Sequence, residues 1–276
     1  MPELAEVELG RGILERVAVG RRIDRVWCDA DGIVFDGVRP AAFAKHLTGR
    51  AVVAAERWGK HLWLELDERP WPLFHFGMTG AFLVPGETPL ELESGIDPGG
   101  WPPRFCKVRL WLDDGGELAM TNARRLGRIR LRDDPRSERP IGKLGFDPYL
   151  AMPSPKEFVA RVARRRIPLK ALLLDQSFAA GVGNWLADEA LYQAKLDPRR
   201  LAADLSEPEA KRLRSALRRI VNKAVSVGAD KSRFPKTWLF HRRWGKQRGI
   251  HTARGEAIEH IELAGRTTAW VPSVQR

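Results

Sequence analysis

The chain has 276 residues, of which 43% are hydrophobic, enough for one large domain or two or three small ones. No apolar run approaches the roughly 20 residues that span a bilayer, and the chain start lacks the basic and apolar regions of a signal peptide. We therefore expect no membrane association and a cytoplasmic, nucleoid-associated location. Lys and Arg outnumber Asp and Glu by 47 to 35, a net charge of +12 that suits a polyanionic partner.

The first half of the chain predicts a leading helix followed by short strands. Apolar residues recur with an imperfect helical period over residues 4–18, and Gly20 follows. The segments 107–113 and 128–132 alternate with period two, as strands with one buried face do. Turn residues surround them at 29–32 and 113–116. The sequence therefore predicts a β-rich domain behind a helix.

The second half predicts a helical region and then short strand-like pieces. Residues 136–153 are polar and interrupted by prolines, which is typical of a linker. Ser206 and Glu209 have the spacing of a capping box, and the apolar residues after them share one helical face. Residues 237–276 are rich in glycine and arginine. The only cysteines, Cys28 and Cys106, are expected to be free thiols in a reducing compartment, although one disulfide is arithmetically possible.

The chain start carries residue types suited to covalent catalysis. A small second residue, Pro2, permits removal of Met1 and so exposes a secondary amine, and an α-amino group has a pKa of about 8. Attack of proline on a sugar C1′ gives only a charged iminium, an electron sink that acidifies the C2′ proton. Glu3 can protonate the ring oxygen of the sugar, and Glu6 can position a water or a proton. Taken alone, the same residues are more typical of an ordinary helix start with proline and acids in its first turn.

Five motifs along the chain, read together, favour the catalytic interpretation. They are Pro2-Glu3-Leu-Ala-Glu6-Val-Glu8, Arg57-Trp-Gly-Lys-His-Leu62, His75-Phe-Gly-Met-Thr-Gly80, Asn122-Ala-Arg-Arg-Leu-Gly127 and Asp175-Gln-Ser-Phe-Ala-Ala-Gly-Val-Gly-Asn184. This ordered series resembles the formamidopyrimidine-DNA glycosylase/endonuclease VIII family over nearly the whole chain. The resemblance implies a multi-domain α+β fold: an N-terminal β-sandwich with a leading helix, a helix-two-turn-helix domain and a C-terminal β-hairpin finger, with DNA crossing the cleft.

The resemblance also implies roles for particular residues. Mature Pro2 is the nucleophile, Glu3 the general acid/base and Glu6 a substrate-positioning carboxylate, with Lys60 contacting phosphates around the lesion. His75 is a further expected DNA contact. Asn184 matches a phosphate-binding residue, and Gly181 and Gly183 before it let a turn and a helix N-terminus approach a phosphate. Arg266 also matches a family arginine that reaches the phosphate at the lesion. Apart from the resemblance, Lys170 is expected to add positive charge near the phosphate site of Asn184 and so to contact DNA.

A damaged base must leave the stack before the amine reaches its sugar, so side chains must fill the gap. Met78 and Arg124 match two of the family's three wedge residues. The third position, usually phenylalanine, is Leu126, which keeps an apolar wedge but loses aromatic stacking worth about 1–3 kcal/mol per base. Ordinary core packing of Met78 and Leu126 is the alternative.

The C-terminal finger departs from most bacterial relatives, whose Cys-x2-Cys-x16-Cys-x2-Cys spacing holds zinc. At the same spacing this chain has His251, Arg254, Val271 and Val274. Arginine and valine are not zinc ligands, so we expect a hairpin without metal, held by apolar packing of the two valines. Residues 228–240 are similar to the zincless plant and fungal branch and are shorter than the bacterial loop that covers 8-oxoguanine.

These observations predict a bifunctional DNA glycosylase and AP lyase of base excision repair. It acts as a monomer on damaged double-stranded DNA, through β,δ-elimination, without metal or organic cofactor. The expected domains are residues 1–135, a linker at 136–153, residues 154–236 and a finger at 237–276. The short 228–240 loop favours hydantoins and formamidopyrimidines. Two alternatives stay open: a relative specialised for bulky, alkylated or cross-linked adducts, and a non-catalytic lesion-binding protein.

Overall fold

The structure, a computed structural model, describes residues 2–88, 97, 99–245 and 249–276. The chain divides into two compact units, Met1–Lys143 and Leu144–Arg276. The division falls within residues 136–153, the segment that the sequence predicts to be a linker. Among the described residues no helix is long and apolar enough to cross a membrane.

The first unit contains two helices and eight strands in its described part. The helices are α1 (Leu4–Ala18) and α2 (Pro40–Leu47), and a 3-10 helix spans Ile141–Lys143. The strands are β1 (Ile23–Cys28), β2 (Val52–Trp58), β3 (His61–Leu66), β4 (Trp71–His75), β5 (Ala81–Leu83), β6 (Cys106–Leu112), β7 (Glu117–Thr121) and β8 (Arg128–Arg132). The predicted leading helix and the strands at 107–113 and 128–132 are confirmed.

The eight strands form two antiparallel sheets of four, in the orders β1-β6-β7-β5 and β2-β3-β4-β8. One apolar core contains buried side chains from both sheets and from both helices, among them Leu14, Phe43, Leu64 and Val108. The unit is therefore a β-sandwich, in which side chains from the inner faces of the two sheets form one core. Helix α1 shares this core, which fixes the chain start against the sandwich.

The second unit consists of four helices and a two-stranded hairpin in its described part. The helices are α3 (Pro155–Ala163), α4 (Leu169–Leu174), α5 (Asn184–Ala194) and α6 (Glu207–Ser226), with 3-10 helices at Ala202–Asp204, Lys231–Arg233 and Leu239–His241. The hairpin strands are β9 (Glu259–Leu263) and β10 (Arg266–Trp270). Ala264 and Gly265 both have positive φ, as a two-residue type I′ hairpin turn requires.

Local sequence signals account for the helix starts of this unit. Ser154 with Glu157, and Ser206 with Glu209, form the reciprocal bonds of capping boxes at the starts of α3 and α6. The capping box predicted at Ser206 is thereby confirmed, as is the apolar face of α6. Helix α5 begins at Asn184 directly after Gly183.

Candidate active site and DNA-contacting residues

The start of the chain is held against the sandwich rather than free. Pro2 is buried, and together with Glu6 it lines a pocket of about 240 Å³. The opposite wall contains apolar side chains, among them Phe82 and Val84, and the Arg16–Glu87 ion pair lies at its edge. The residues that line this pocket fix the position of Pro2, as a reaction at its nitrogen requires.

Glu3 and Glu6 occupy the first turn of α1 and are joined through the backbone. The Glu3 N–H donates to Glu6 Oε2 at 3.0 Å, and the Glu3 side chain accepts from the Glu6 N–H, a capping box with acids at both positions. Glu6 thus lies next to Glu3 at the start of the helix, as its spacing of three residues requires. The local fold therefore brings two carboxyl groups to the residue that carries the candidate nucleophile.

The protonation of Glu6 depends on its surroundings. Burial, reinforced by the negative charge of Glu3, raises the pKa of Glu6 to about 7. Proton transfer is most efficient when the pKa of the group lies near the operating pH. Glu6 is thus suited to hold and release a proton under physiological conditions.

The raised pKa predicts a pH-dependent gain of stability in Glu6→Gln. The folded pKa of about 7 lies above the unfolded value near 4.5, so ionisation of Glu6 destabilises the fold increasingly as pH rises between these values. Glutamine keeps the acceptor for the Glu3 N–H without the charge. We expect nearly equal stability at pH 4.5 and a variant more stable by about 1–3 kcal/mol at pH 8, since one pKa unit equals about 1.36 kcal/mol and the residue as a whole is half-buried.

Urea unfolding at both pH values measures this difference, and Glu15→Gln on the exposed face of the same helix is the control. The control should shift stability equally at the two pH values. A Glu6→Gln variant that is less stable than the native protein at pH 8 would show that the ionised carboxylate is stabilising.

Lys60 and His75 lie on neighbouring parts of one sheet. Lys60 follows Gly59 in the two-residue turn between β2 and β3, where Gly59 adopts a φ of +60°. His61 pairs with His75 across β3 and β4, and their ring centroids are 4.8 Å apart. Burial, with the positive charge of Lys60 next in size, lowers the pKa of His75 to about 4.

The backbone also fixes which ring nitrogen of His75 carries the proton. The Gly77 N–H donates to His75 Nδ1 at 3.2 Å, so the proton of the neutral ring is on Nε2. His75 therefore offers an uncharged N–H donor at neutral pH, beside the cationic side chain of Lys60. Such a pair is suited to a phosphate oxygen, and both residues are brought together as the sequence predicts for DNA contacts.

An ion pair that sequence reasoning does not anticipate connects this turn to helix α1. Arg57 is fully buried; its Nε donates to Glu8 Oε2 at 2.6 Å and its Nη1 to the Gly59 carbonyl at 2.9 Å. The pair ties the Lys60 turn to the helix that carries Glu3 and Glu6. Both residues lie within the quoted motifs, but only the fold reveals that they meet.

Met78, Arg124 and Leu126 lie on two loops that are bonded to each other. The Arg124 N–H donates to Thr79 Oγ1 at 3.2 Å. A β-carbon on Gly77 would lie 2.4 Å from the Leu126 carbonyl carbon, so the two backbones are in close contact. Met78 is half-buried, Arg124 is exposed, and 45% of Leu126 is exposed. The exposure of Leu126 disfavours core packing as the reason for this side chain.

Asn122 holds these two loops together. It is 1% exposed, and its Nδ2 donates to the Phe76 carbonyl at 2.8 Å while its Oδ1 accepts from the Gly127 N–H at 3.1 Å. The asparagine is thus bonded to both loops at once. Its motif was apparent in the sequence, but its positioning role was not.

In the second unit Asn184 and Arg266 are brought together. Asn184 Nδ2 donates to the Thr267 carbonyl at 2.9 Å, which joins the start of α5 to the residue after Arg266 on β10. Gln176 shapes the loop before α5, because its Oε1 accepts from the Gly181 N–H at 3.0 Å and its Nε2 donates to the Val182 carbonyl at 2.8 Å. Arg266 is exposed. The arrangement provides amide and guanidinium donors beside a helix N-terminus, a combination that suits a phosphate.

The expectation that Lys170 contacts DNA is wrong. Its side chain is fully buried, forms an ion pair with Asp188 and donates to the Asn184 carbonyl at 2.9 Å. Asp188 also accepts from Arg243 Nε and from the Ala269 N–H, each at 3.1 Å. A lysine two residues into a helix resembles a surface charge in sequence, and its partner lies 18 residues away. Lys170 therefore stabilises the backbone of Asn184 at the start of α5 through this hydrogen bond.

The C-terminal hairpin is packed by apolar residues at the positions where bacterial relatives have cysteine. Val271 is fully buried in a cluster with Leu239, Ile258 and Ala269, and Val274 packs against it. The predicted packing of the two valines is confirmed. His251 and Arg254 are exposed. The residues at this position do not fit a zinc ion, since valine has no donor atom and arginine keeps its proton.

Residues 228–240 pack onto helix α5 instead of forming an extended cover. Phe234, Trp238 and Phe240 are each less than a tenth exposed, and their rings surround Trp185 with centroids 5.1–6.4 Å away. This aromatic packing fixes the short segment. Because these aromatic residues pack on Trp185, few residues of the 228–240 segment are left to cover a damaged base.

Comparison with known proteins agrees with this geometry. The formamidopyrimidine-DNA glycosylase N-terminal domain matches residues 1–129, and the helix-two-turn-helix domain of the same enzymes matches residues 144–236. A formamidopyrimidine-DNA glycosylase of Arabidopsis thaliana is 41% identical over all of this chain and 71% of its own length. That of Pelobacter propionicus is 33% identical over the full length of both.

A solved structure of the Lactococcus lactis enzyme, non-covalently bound to DNA containing an AP site, superposes with a TM-score of 0.80. It is 25% identical in sequence, and 99% of each chain is covered. The two-domain match, the β-sandwich and the hairpin define the class as a DNA-binding glycosylase of base excision repair. The chain belongs to the formamidopyrimidine-DNA glycosylase family, in which AP lyase activity is typical.

Proposed function

We propose that the protein excises oxidised bases through a Schiff base formed by Pro2 after Met1 is removed. The observation that carries the proposal is the capping box of Glu3 and Glu6, which brings two carboxyl groups to the start of the helix that follows Pro2. The capping boxes at Ser154 and Ser206 pair a hydroxyl with one carboxyl group, whereas this one has carboxyl groups at both positions directly after Pro2, which gives the amine with an acid beside it that covalent sugar chemistry needs.

The chemical steps follow from these groups. The Pro2 nitrogen bonds to C1′ and loses its proton, while the base leaves with the electron pair of the glycosidic bond and takes up a proton. Glu3 protonates the ring oxygen, the C1′–O4′ bond breaks, and the charged iminium forms. Loss of the C2′ proton expels the 3′ phosphate, and δ-elimination then expels the 5′ phosphate. Glu6 positions a water or a proton in these transfers.

The remaining site residues bind or replace parts of the DNA. Lys60, His75, Asn184 and Arg266 contact phosphates, a role supported by their exposed or half-buried donors. Met78, Arg124 and Leu126 fill the gap left by the extruded base. The reaction needs no metal or organic cofactor, and one chain contains every group it uses. We accordingly propose a monomer that acts in the cytoplasm, associated with the nucleoid.

The short, packed segment at 228–240 supports a preference among lesions. Because its aromatic residues are committed to Trp185, it offers little cover for a planar base. We expect bulkier or non-planar oxidised bases, such as hydantoins and formamidopyrimidines, to be better substrates than 8-oxoguanine.

A panel of lesion duplexes tests this proposal. Excision rates are measured on 8-oxoguanine, hydantoin, formamidopyrimidine, thymine glycol and alkylated duplexes, with Glu3→Gln as the control for contaminating activity. General acid catalysis contributes about 10²–10⁴-fold, so the control should lose at least 10²-fold. Efficient removal of 8-oxoguanine with weak activity on hydantoins would contradict the lesion preference inferred from the short loop. Preferred excision of the alkylated duplex would favour an enzyme for bulky adducts. No excision from any duplex would indicate a non-catalytic lesion-binding protein.

A further inference from the structure

Phe105 is an aromatic side chain in an unusual backbone conformation on the surface of the first unit. It is 41% exposed, and its φ of +59° lies in the left-handed region that bulky residues rarely adopt. Such conformations persist where the surrounding structure holds them, and they cluster at functional sites. A large apolar ring kept both strained and exposed needs an explanation that core packing does not supply.

The surrounding contacts hold Phe105 beside the loop that carries Arg124 and Leu126. The Asn122 N–H donates to the Phe105 carbonyl at 2.9 Å, and Cys106 pairs with Thr121 in the adjoining sheet. Phe105 therefore lies directly opposite the first residue of that loop. Opposed residues of antiparallel strands have Cα atoms about 5 Å apart, so Phe105 adjoins the start of the loop that carries Arg124 and Leu126.

A second connection makes this placement rigid. Lys107, two residues after Phe105, contacts Asp31 at 2.9 Å, and Asp31 forms two bonds of 2.9 Å with Arg125. Arg125 itself has a φ of +53°. Two strained residues are thus linked through one buried carboxylate, so the strand of Phe105 and the loop of Leu126 are fixed to each other.

The charges around the ring favour nucleic acid over an apolar partner. The Arg104 guanidinium lies 5.1 Å from the ring centroid, and Arg124 is exposed on the adjoining loop. An exposed aromatic ring among arginines is the usual composition of a surface on which unpaired bases stack. A protein surface that docked on this ring would have to match the same positive charge.

We propose that Phe105 stacks on the base opposite the lesion once the lesion has left the duplex. Leu126 fills the gap in the damaged strand, and the ring of Phe105 supports the base that has lost its partner. The assignment rests on the function proposed above. It makes Phe105 a residue that determines how the enzyme responds to the opposite base.

Binding of Phe105→Gly to two duplexes tests the proposal. One duplex has tetrahydrofuran opposite cytosine, and the other has tetrahydrofuran in both strands, so that no base is left to stack. We expect about tenfold weaker binding to the first and unchanged binding to the second, the scale of one aromatic–base contact. Glycine adopts positive φ freely, so this variant should melt no lower than the native protein. Phe105→Trp keeps an aromatic ring at this position and should bind the first duplex as tightly as the native protein does.

Trp27→Leu is the matched control, because Trp27 is 45% exposed on β1 of the same unit and is expected to have no effect. If Phe105→Gly loses the same affinity for both duplexes, the result would contradict stacking and indicate a change in the loop. If its affinity for the first duplex is unchanged, the proposal is overturned. The native protein's binding to the first duplex separately tests the proposed function. If that binding is absent, the function itself fails, and the assignment fails with it.

Discussion

Replacing Pro2 with glycine should sharply lower the yield of borohydride-trapped adduct with DNA that contains an abasic site, and strand cleavage should fall by roughly 10³-fold, because the amine that remains is no longer positioned and activated as the proline nitrogen is. Glycine leaves a primary amine, whose imine can be neutral and is then a poor electron sink. It also lacks the ring that is buried at this position. The charged iminium, on which elimination depends, is therefore no longer obligatory.

Pro40→Gly is the matched control for this experiment. Pro40 begins helix α2 of the same unit, so its replacement removes a helix-starting proline without touching the chain start. Its adduct yield and cleavage rate should equal those of the native protein. Native levels of adduct and cleavage in the Pro2 variant would contradict the account, because they would show that the reaction does not need the proline nitrogen.

The Asp188 cluster should dominate the stability of the second unit. Asp188→Ala leaves the fully buried ammonium of Lys170 and the nearly buried guanidinium of Arg243 without their shared carboxylate. Removing one partner of a buried ion pair costs about 3–5 kcal/mol, because the remaining charge stays desolvated. We therefore expect the melting temperature to fall by about 10 °C. Glu207→Ala, in the exposed pair with Lys211, is the control and should leave the melting temperature nearly unchanged, because solvent screens that pair.

Lys170→Met distinguishes the two roles considered for this lysine. A buried structural lysine predicts a lower melting temperature and an unchanged dependence of DNA affinity on salt. A phosphate contact predicts native stability and a slope of log affinity against log salt that is smaller by about one. The second result would restore the original expectation from the sequence.

Features that depend on neighbouring residues could be predicted from the sequence. Helix α1, strand β8 and the capping box at Ser206 follow from periodicity and from spacings of three or four residues. The position of Glu6 beside Glu3 follows from the same helical geometry. The loss of zinc-binding residues and the packing of Val271 were also apparent, because donor chemistry can be read from residue type alone.

Features that depend on distant residues could not be predicted. Lys170 has the sequence environment of a surface lysine, and only the approach of α5 shows that Asp188 is its partner. The bond between Arg57 and Glu8 joins residues 49 apart. Phe105 belongs to no motif, and only its exposure and backbone conformation single it out. Burial and long-range pairing arise from the fold, so sequence spacing carries little information about them.

Mass spectrometry of the trapped complex tests the central claim most directly. The native protein is reduced with borohydride on an abasic-site oligonucleotide, digested, and its N-terminal peptide is sequenced. The peptide should begin at Pro2, lack Met1 and carry the deoxyribose remnant on the proline nitrogen. Active protein that retains Met1, or a remnant attached to a lysine, would contradict the account.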